Sequence, residues 1–349
     1  MKSLNMYFAT HRTCNLSCSY CYVPEYNKKS EKASDELVLE AHKKFLEKAQ
    51  KEGYQILSFC LHGSEPSLIR SETFAEIANR MNDYWAETGY PGLRTAIQSN
   101  GIRFTVEYLS QLKENLDSNK LPRLGFSIDP PREVHNKFRN NSFDKAYSNF
   151  QNAMAMGFPV SALSVVTKDT MKHLDDFGTW FKEQLAVKKE NGNPYKLKIK
   201  LATGNMSLSS EEKIEFADFL ARNELFHLLQ ILTPGYCIQA GNECMWYEFD
   251  IWGKSYSCNK VYGDSGVFAD WHNESFDSIV GKRKALYAEN FRSRDCDSCQ
   301  YEFICNSGCP VDREKTGLAH ECEIIKYAFD YLDKRGIHYI DFLNRNSEE

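Results

Sequence analysis

The chain has 349 residues, 42% of them hydrophobic and 26% charged, which is enough for one large domain and a smaller one. The net charge of -5 gives no basic footprint for nucleic acid, and no apolar run reaches the roughly 18–20 residues that cross a bilayer. The N-terminal sequence MKSLNMYFAT lacks the apolar stretch of a signal peptide. We therefore expect a cytoplasmic protein with neither a nucleic-acid nor a membrane partner.

The first 230 residues alternate short strand patterns with longer helix patterns. Ser34 is a plausible N-cap of the first helix and Gly53 a plausible stop. The predicted strands cover residues 4–10, 54–62, 93–98, 122–129, 158–167 and 195–202, and the predicted helices 34–53, 71–88, 104–118, 142–156, 170–189 and 209–232. Six such repeats predict an α/β fold with a parallel sheet, either open and doubly wound or curved like a barrel. In both cases the loops after the strands would contain the chemistry.

The pattern breaks after residue 233. Aromatic, glycine and cysteine residues surround a predicted hairpin with Gly253 near its turn, and residues 263–310 offer little for an apolar core. Such a segment usually needs a metal to hold it together. Residues 322–336 read as a closing helix. We therefore predict two domains, covering residues 1–232 and 233–349.

Of the 12 cysteines, all but the lone Cys60 are clustered toward the two ends of the chain. Without an export signal, clustered thiols indicate metal binding more than disulfides. Cys14, Cys18 and Cys21 follow the first strand, and the only histidine close to them is His11, three residues before Cys14. A structural zinc site needs four ligands, whereas three thiolates can bind three irons of a [4Fe–4S] cluster and leave the fourth iron open.

The spacing Cys14-x3-Cys18-x2-Cys21, with Tyr20 before the last cysteine, resembles the motif of radical S-adenosylmethionine (SAM) enzymes. The resemblance implies a partial (β/α)6 TIM-like barrel in which SAM chelates the open iron. An electron from the cluster would cleave SAM, and the resulting 5′-deoxyadenosyl radical would abstract hydrogen from the substrate.

Motifs after later strands extend the resemblance. HGSEP (62–66) is similar to the GGEP loop that contacts the SAM amino group, although Ser64 replaces a glycine; QSNG (98–101) is similar to a TNG turn. In SIDPPREVHNKFR (127–139), the resemblance assigns the serine to the ribose and the last arginine to the SAM carboxylate, with Pro130 at a usual glycine position. The residues predicted to bind the cofactor are Tyr20, His62, Gly63, Glu65, Pro66, Asn100, Ser127, Asp129 and Arg139. No catalytic residue is predicted.

The C-terminal cysteines resemble the SPASM extension of radical SAM enzymes, including Gly253-x4-Cys258 and the CNSGCP ending. By analogy, one auxiliary [4Fe–4S] cluster would be bound by Cys237, Cys244, Cys258 and Cys309, and a second by Cys296, Cys299, Cys305 and Cys322. The expected cofactors are then SAM and three [4Fe–4S] clusters. Two structural zinc sites are the alternative that composition leaves open.

SPASM-type enzymes mostly modify ribosomally made peptides or proteins. The resemblance implies hydrogen abstraction from a residue of such a substrate, giving an oxidative modification such as a carbon–carbon or thioether cross-link. A reducing partner such as flavodoxin or ferredoxin is expected. Because the cysteine loop begins at residue 14, we expect a separate leader-binding protein or direct recognition of the substrate by the barrel.

Three other functions stay open. Anaerobic sulfatase-maturing enzymes are related by motif, but they use an aspartate directly after the G-x4-C cysteine as the base, and this chain has Asn259 there. A neutral amide accepts no proton at neutral pH, which disfavours that activity, and Asp264 is only near in sequence. The remaining alternatives are a non-catalytic metal-binding or electron-transfer protein and a dehydrogenase of a small alcohol or sugar.

Overall fold

The computed structural model describes residues 2–23, 29–191, 195–232, 241, 243–288, 292–313, 317–338 and 341–342. By its internal contacts the chain divides into a first unit (1–127, 138–161 and 245–285) and a second unit (128–137, 162–244 and 286–349). Among the described residues, no helix is long and apolar enough to cross a membrane. The domain boundary at residue 232 stays a prediction.

All six strands predicted for the first 230 residues are present, and the helices follow them in alternation. The strands of the described part are β1 (Lys2–Ala9), β2 (Tyr54–His62), β3 (Ala96–Ser99), β4 (Arg123–Ser127), β5 (Val160–Val166), β6 (Lys196–Leu201), β7 (Trp246–Asp250), β8 (Lys254–Tyr256) and β9 (Val267–Asp270). Its α-helices are α1 (Asp35–Lys51), α2 (Ser71–Glu87), α3 (Val106–Glu114), α4 (Arg132–Phe138), α5 (Phe143–Ala155), α6 (Leu174–Asn191), α7 (Ser210–Arg222), α8 (Phe276–Ala288), α9 (Glu302–Cys305) and α10 (Cys322–Lys334).

The strands of the first unit are ordered β4-β3-β2-β1-β7-β8-β9. Strands β1 to β4 pair in parallel, and β7 joins the other side of β1, also in parallel. The β7–β8 hairpin is antiparallel and turns at Gly253, whose φ of +95° favours glycine, as the sequence predicts. The second unit contains most of β5 and all of β6. The described strands form an open sheet, in agreement with the predicted partial barrel.

Alternation along β1 separates the core of the first unit from its site. Leu4, Met6 and Phe8 are buried, and the Phe8 ring lies 5.9 Å from that of Phe45 on α1. Ser34 caps α1 as predicted, accepting a hydrogen bond from the Leu37 amide at 3.2 Å. Tyr7 points to the opposite face of the strand. That face of the sheet contains the functional residues described below.

Three predicted helices are shorter than expected, and the one predicted over 104–118 covers only Val106–Glu114. The helix predicted over 209–232 ends at Arg222, because Glu224 takes a left-handed φ of +61°, and 3-10 turns follow at Phe226–Leu228 and Gln230–Leu232. The helix predicted over 170–189 starts as a 3-10 turn, and its α-helical part begins at Leu174. Helices α4, α8 and α9 and strand β9 are absent from the sequence prediction.

Candidate active site and cysteine clusters

The three N-terminal cysteines converge in the loop after β1. The Cys21 amide donates to the Cys18 carbonyl at 3.1 Å, and the Leu16 amide donates to Cys14 Sγ at 3.4 Å. Burial is the largest cause that raises the pKa of Cys14 to about 12, and the nearby Glu65, Cys18 and Cys21 contribute to this shift against the Leu16 hydrogen bond. Grouped thiols of this kind ionise when a metal binds them. The donor set therefore fits an iron–sulfur cluster with three protein ligands.

His11 does not point at these thiols. It is fully buried, and its Nδ1 accepts a hydrogen bond from the Ala33 amide at 3.2 Å. Burial lowers the pKa of His11 to about 4, so the ring is neutral at pH 7. Its hydrogen bond joins the start of the cysteine loop to the segment before α1.

Arg139 and Tyr20 lie beside the cysteine loop. The Arg139 guanidinium is 5.1 Å from the centre of the Tyr20 ring, and its Nη1 is 4.0 Å from Cys18 Sγ. The Ser19 amide donates to the Phe138 carbonyl at 3.2 Å. The predicted SAM-binding arginine thus lies next to the thiols, where a cation favours nearby anionic groups.

Glu65 connects the cysteine loop to two strand ends. The residue is only 2% exposed, and its carboxylate accepts four hydrogen bonds, from the amides of Ser67 (3.0 Å) and Asn100 (2.9 Å) and from the hydroxyls of Ser67 (2.6 Å) and Ser99 (2.7 Å). Its own amide donates to the Thr13 carbonyl at 3.1 Å. The carboxylate therefore fixes the loops after β2 and β3 relative to the cysteines.

The other predicted SAM-binding residues divide between the two units. Asn100 Nδ2 donates to Asn15 Oδ1 at 2.7 Å and is 3.8 Å from Cys14 Sγ, and Ser127 Oγ accepts from Gln98 at 3.2 Å, both within the first unit. Asp129 belongs to the second unit. Pro66 opens the 3-10 turn Pro66–Leu68.

Asp129 has a structural environment of its own. The residue is 2% exposed. Its Oδ1 accepts from the Val165 amide at 2.8 Å, and its backbone amide donates to Nδ1 of His135 at 3.1 Å. Within the second unit, the carboxylate thus joins the segment that follows β4 to residue 165 of β5.

Gly63 allows a close approach that no larger residue permits. Its φ is +75°, and a Cβ there would lie 2.7 Å from the Ala9 Cβ and 2.9 Å from Oε1 of Glu248. Ser64, which replaces a glycine of the similar motif, also has a positive φ, +33°. The HGSEP turn therefore lies directly against strand β7.

His62 lies at the centre of a group of polar side chains. Its Nδ1 is 3.5 Å from Glu248 Oε2, and its Nε2 is 3.2 Å from the Tyr22 hydroxyl and 3.5 Å from Asn259 Nδ2. The Tyr7 ring lies 4.8 Å away. All of these residues belong to the first unit.

Tyr22 lies between two sets of cysteines. Desolvation raises the pKa of its phenol well above the ordinary value, and Glu248, Cys21, Cys258 and Cys60 raise it further. The residue as a whole is 46% exposed. The phenol stays protonated at neutral pH, within electrostatic range of both Cys21 and Cys258.

Four of the C-terminal cysteines come together in the second unit. Burial is the largest cause that raises the pKa of Cys305 to about 12, and the nearby Cys322, Cys296 and Cys299 contribute to the same shift. These are the four residues predicted to share one auxiliary cluster. A group of four thiols fits a cluster without an open iron, or a zinc ion.

The remaining predicted ligands are partly described. Cys258 is buried, its Sγ accepts from the Lys260 amide at 3.5 Å, and Cys309 is buried near Arg313. Cys244 is half-buried. Cys237 lies outside the described residues. The set of Cys237, Cys244, Cys258 and Cys309 stays a prediction.

Comparison with known proteins assigns the family. Residues 9–181 match the family model described as the radical SAM superfamily. The chain carries a radical SAM domain. It is 25% identical over 90% of its length to 90% of a cysteine-type anaerobic sulfatase-maturating enzyme of Clostridium novyi. It is 24% identical over 95% of its length to 89% of a serine-type enzyme of Bacteroides thetaiotaomicron.

Solved structures show the same fold. Native anSMEcpe with bound AdoMet and Cp18Cys peptide matches with a TM-score of 0.72 at 21% identity, covering 98% of this chain and 99% of that one. Streptococcus suis SuiB bound to the precursor peptide SuiA matches with a TM-score of 0.59 at 14% identity, covering 91% and 74%. The predicted radical SAM fold is confirmed, and SAM with a [4Fe–4S] cluster are the cofactors of this radical SAM enzyme.

The sequence prediction missed Tyr22 and Glu248. Tyr22 directly follows the last cysteine of the motif, and Glu248 is a charged residue inside the otherwise apolar and aromatic strand WYEFD. A carboxylate in a buried strand is rare without a partner, so it was a usable signal. Its pairing with His62 could be seen only once β7 was placed beside β1.

Proposed function

We propose that this radical SAM enzyme oxidises a side chain of a peptide or protein, and that the preferred target is a cysteine or serine. The position of Tyr22 carries the proposal: its hydroxyl lies near Cys21 of one predicted cluster and near Cys258 of another. A substrate bound at Tyr22 could then lose a hydrogen atom on the side of Cys21 and an electron on the side of Cys258. The two sulfatase-maturating relatives, which this chain matches over most of its length, support the same substrate class.

The cysteines divide into three proposed cluster sites. Cys14, Cys18 and Cys21 would bind the SAM-binding [4Fe–4S] cluster, and the C-terminal cysteines would bind two auxiliary clusters in the ligand sets given above. When bound, the first cluster supplies the electron that cleaves SAM to a 5′-deoxyadenosyl radical, which removes hydrogen from the substrate. A flavodoxin or ferredoxin would reduce the enzyme.

Residues of the chain position SAM and exclude water in this proposal. Arg139 lies where its guanidinium can pair with a carboxylate beside Cys18. Ser127 offers a hydroxyl at the end of β4 for the ribose. Glu65 accepts four hydrogen bonds from the protein, so its proposed contribution is to fix the loop that faces the SAM amino group.

An anaerobic assay tests the proposal. The reconstituted enzyme should contain about twelve irons in three clusters and release 5′-deoxyadenosine after reduction. The substrates are peptides that span the formylglycine site of an anaerobic bacterial sulfatase, in cysteine and serine forms. We expect an aldehyde that reacts with a hydrazide probe. An alanine peptide is the control, and SAM cleavage without any change to either peptide contradicts the proposal.

A cross-linking oxidation is the second candidate, and Asn259 favours it. In the similar maturases an aspartate follows the G-x4-C cysteine, and the amide of Asn259 cannot accept a proton in its place. A cross-link also removes two hydrogens but leaves no aldehyde. Mass spectrometry combined with the hydrazide probe therefore separates the two products.

A further inference from the structure

We infer that His62 accepts the proton that the substrate side chain loses during oxidation, and that Glu248 positions His62 for this step. The pair would thereby replace a base at position 259, where this chain has an amide. The inference rests on the proposed function, because it concerns the same oxidation. His62 is the proposed catalytic residue and Glu248 the positioning residue.

The groups around His62 indicate which of its ring nitrogens carries the hydrogen and which one can accept a proton. Glu248 Oε2 lies 3.5 Å from Nδ1, too long for a well-formed hydrogen bond, but its charge favours the neutral tautomer with the hydrogen on Nδ1 and with Nε2 as the acceptor. The Tyr22 hydroxyl is 3.2 Å from Nε2 and 3.5 Å from Nδ1, so the substrate thiol or hydroxyl would take the place of the phenol as the partner of Nε2. The Asn259 amide is 3.5 Å from Nε2, a long contact that a substrate thiol or hydroxyl could displace.

The buried carboxylate of Glu248 favours the protonated form of His62. The side chain is fully buried, and neither carboxylate oxygen has a hydrogen-bond partner of good geometry. A buried carboxylate without a compensating charge is unfavourable. When His62 takes up a proton, its positive charge compensates the Glu248 carboxylate, and the two form an ion pair with no net charge. Burial raises the pKa of Glu248, and His62 opposes that shift.

Other titratable groups face the pair from each neighbouring element. They are Tyr7 on β1, Cys60 on β2, Tyr22 in the cysteine loop, Asp250 on β7 and Tyr262 after β8. Burial raises the pKa of both Tyr22 and Cys60, so these two are protonated at neutral pH. Asp250 is paired with Arg12 at 2.8 Å.

The proposed step balances for a cysteine target. The Cβ–H and S–H bonds break and a C=S double bond forms. The hydrogen atom goes to the 5′-deoxyadenosyl carbon, the proton goes to Nε2 of His62, and the electron goes to an iron–sulfur acceptor of the proposed function. Water then converts the thioaldehyde to an aldehyde and hydrogen sulfide. A serine target gives the aldehyde directly.

The first experiment compares His62→Gln with the double variant His62→Gln/Asn259→Asp. The substrate is the sulfatase cysteine peptide deuterated at Cβ, and His272→Gln, at an exposed position, is the control. In His62→Gln we expect aldehyde formation to fall about 100-fold or more while deuterium still enters 5′-deoxyadenosine. The peptide should bind the unreduced SAM complex with a Kd within about twofold of wild type.

The double variant provides the rescue. A carboxylate at position 259 lies where it can take the same proton, so we expect it to recover at least about tenfold of the lost aldehyde rate. Aldehyde formation by His62→Gln within about threefold of wild type overturns the inference. So does a loss in which deuterium transfer falls equally and Asn259→Asp restores nothing, because His62 would then only position the substrate.

The second experiment separates Glu248 from a merely structural role. A negative charge beside an imidazole favours the protonated ring, so Glu248→Gln should move the acid limb of the aldehyde rate about one unit to lower pH. An unmoved acid limb overturns the role of Glu248. A wild-type enzyme that cleaves SAM but transfers no deuterium from the peptide overturns the proposed function, whereas product formation that is indifferent to His62 overturns this inference alone.

Discussion

The N-terminal and C-terminal cysteine clusters are held in different ways. The loop with Cys14 is fixed by the rest of the first unit, through the four hydrogen bonds to the Glu65 carboxylate and the contact with Arg139. The segment with Cys296 and Cys305 consists of a 3-10 turn, a helix of four residues and successive left-handed residues at 306–308. We therefore expect the fold to build the first cysteine site on its own, and the second cysteine group to need a bound metal to complete its fold.

The polar contacts around the second cluster are mostly ionic and partly exposed. Arg292 contacts Asp297, Glu302 and the Ser307 hydroxyl, and the Tyr301 hydroxyl donates to Asp330 and Asp333. Exposed ion pairs of this kind contribute little stability each. They orient the loop, and we expect metal binding by the cysteines and helix α10 to contribute most of the free energy that keeps it folded.

The largest expected difference between the two cysteine groups appears when one cysteine is removed from each and the stability of the two variants is compared. Cys305→Ser should destabilise the second unit by several kcal/mol, since metal binding contributes on the order of 10 kcal/mol to the folding of small metal-bound domains. Cys14→Ser should abolish SAM cleavage but shift Tm by only about 2–3 °C. Limited proteolysis followed by mass spectrometry locates the opened segment. Cleavage within residues 292–322 of both variants to the same extent contradicts the distinction.

Glu65→Gln tests how far the protein itself holds the first cluster site. The amide keeps the shape but removes the charge that accepts four hydrogen bonds at a 2% exposed position, so we expect a loss of about 2–3 kcal/mol. Glu302→Gln is the matched control in the second cluster, where the carboxylate is half-buried and pairs with Arg292 at 2.9 Å. That change should cost less than about 1 kcal/mol. Chemical denaturation measures both, and equal losses contradict the comparison.

Acid should weaken the first unit through two buried histidines. Burial lowers the pKa of His11 to about 4 and that of His42 to about 3, both below the unfolded value near 6.5. The unfolded chain therefore binds protons first, and stability present above pH 6.5 is lost as the pH falls toward these folded values. The loss is about 2 kcal/mol per histidine between pH 6.5 and 5.

His42→Phe provides the check on this acid effect. The His42 ring packs 5.2 Å from Phe59 in the core, so phenylalanine can occupy its place. Hydrogen exchange of peptides from the first unit, measured between pH 7 and 5, should become less pH-dependent in this variant. His173→Phe, in the second unit and partly exposed, is the control. An unchanged pH dependence in His42→Phe means that another group is responsible.

The sequence predicted the parts of the site that depend on short-range patterns. Cysteine spacing and strand periodicity are local, and the carboxyl ends of parallel strands meet at one edge, so Glu65, Asn100 and Arg139 could be expected near Cys14 and Cys18. Glu248 could not, because strand β7 joins β1 across more than 200 residues of chain. The early end of α7 was also missed, since nothing in its composition marks the left-handed Glu224.

The smallest expected effect is a change in unfolding free energy when a residue with a left-handed backbone beside each cysteine group is replaced by glycine. Ser64 has a φ of +33° beside the first site, and Asn306 has a φ of +49° beside the second. Serine tolerates this region less well than asparagine, whose side chain can bond to the local backbone. Ser64→Gly should therefore stabilise the protein by about 0.5 kcal/mol, and Asn306→Gly should give no gain, because glycine also loses more entropy on folding. If denaturant unfolding shows the larger gain at position 306, the backbone of the first site is not the strained one, and the fold holds its cysteine loop without conformational cost.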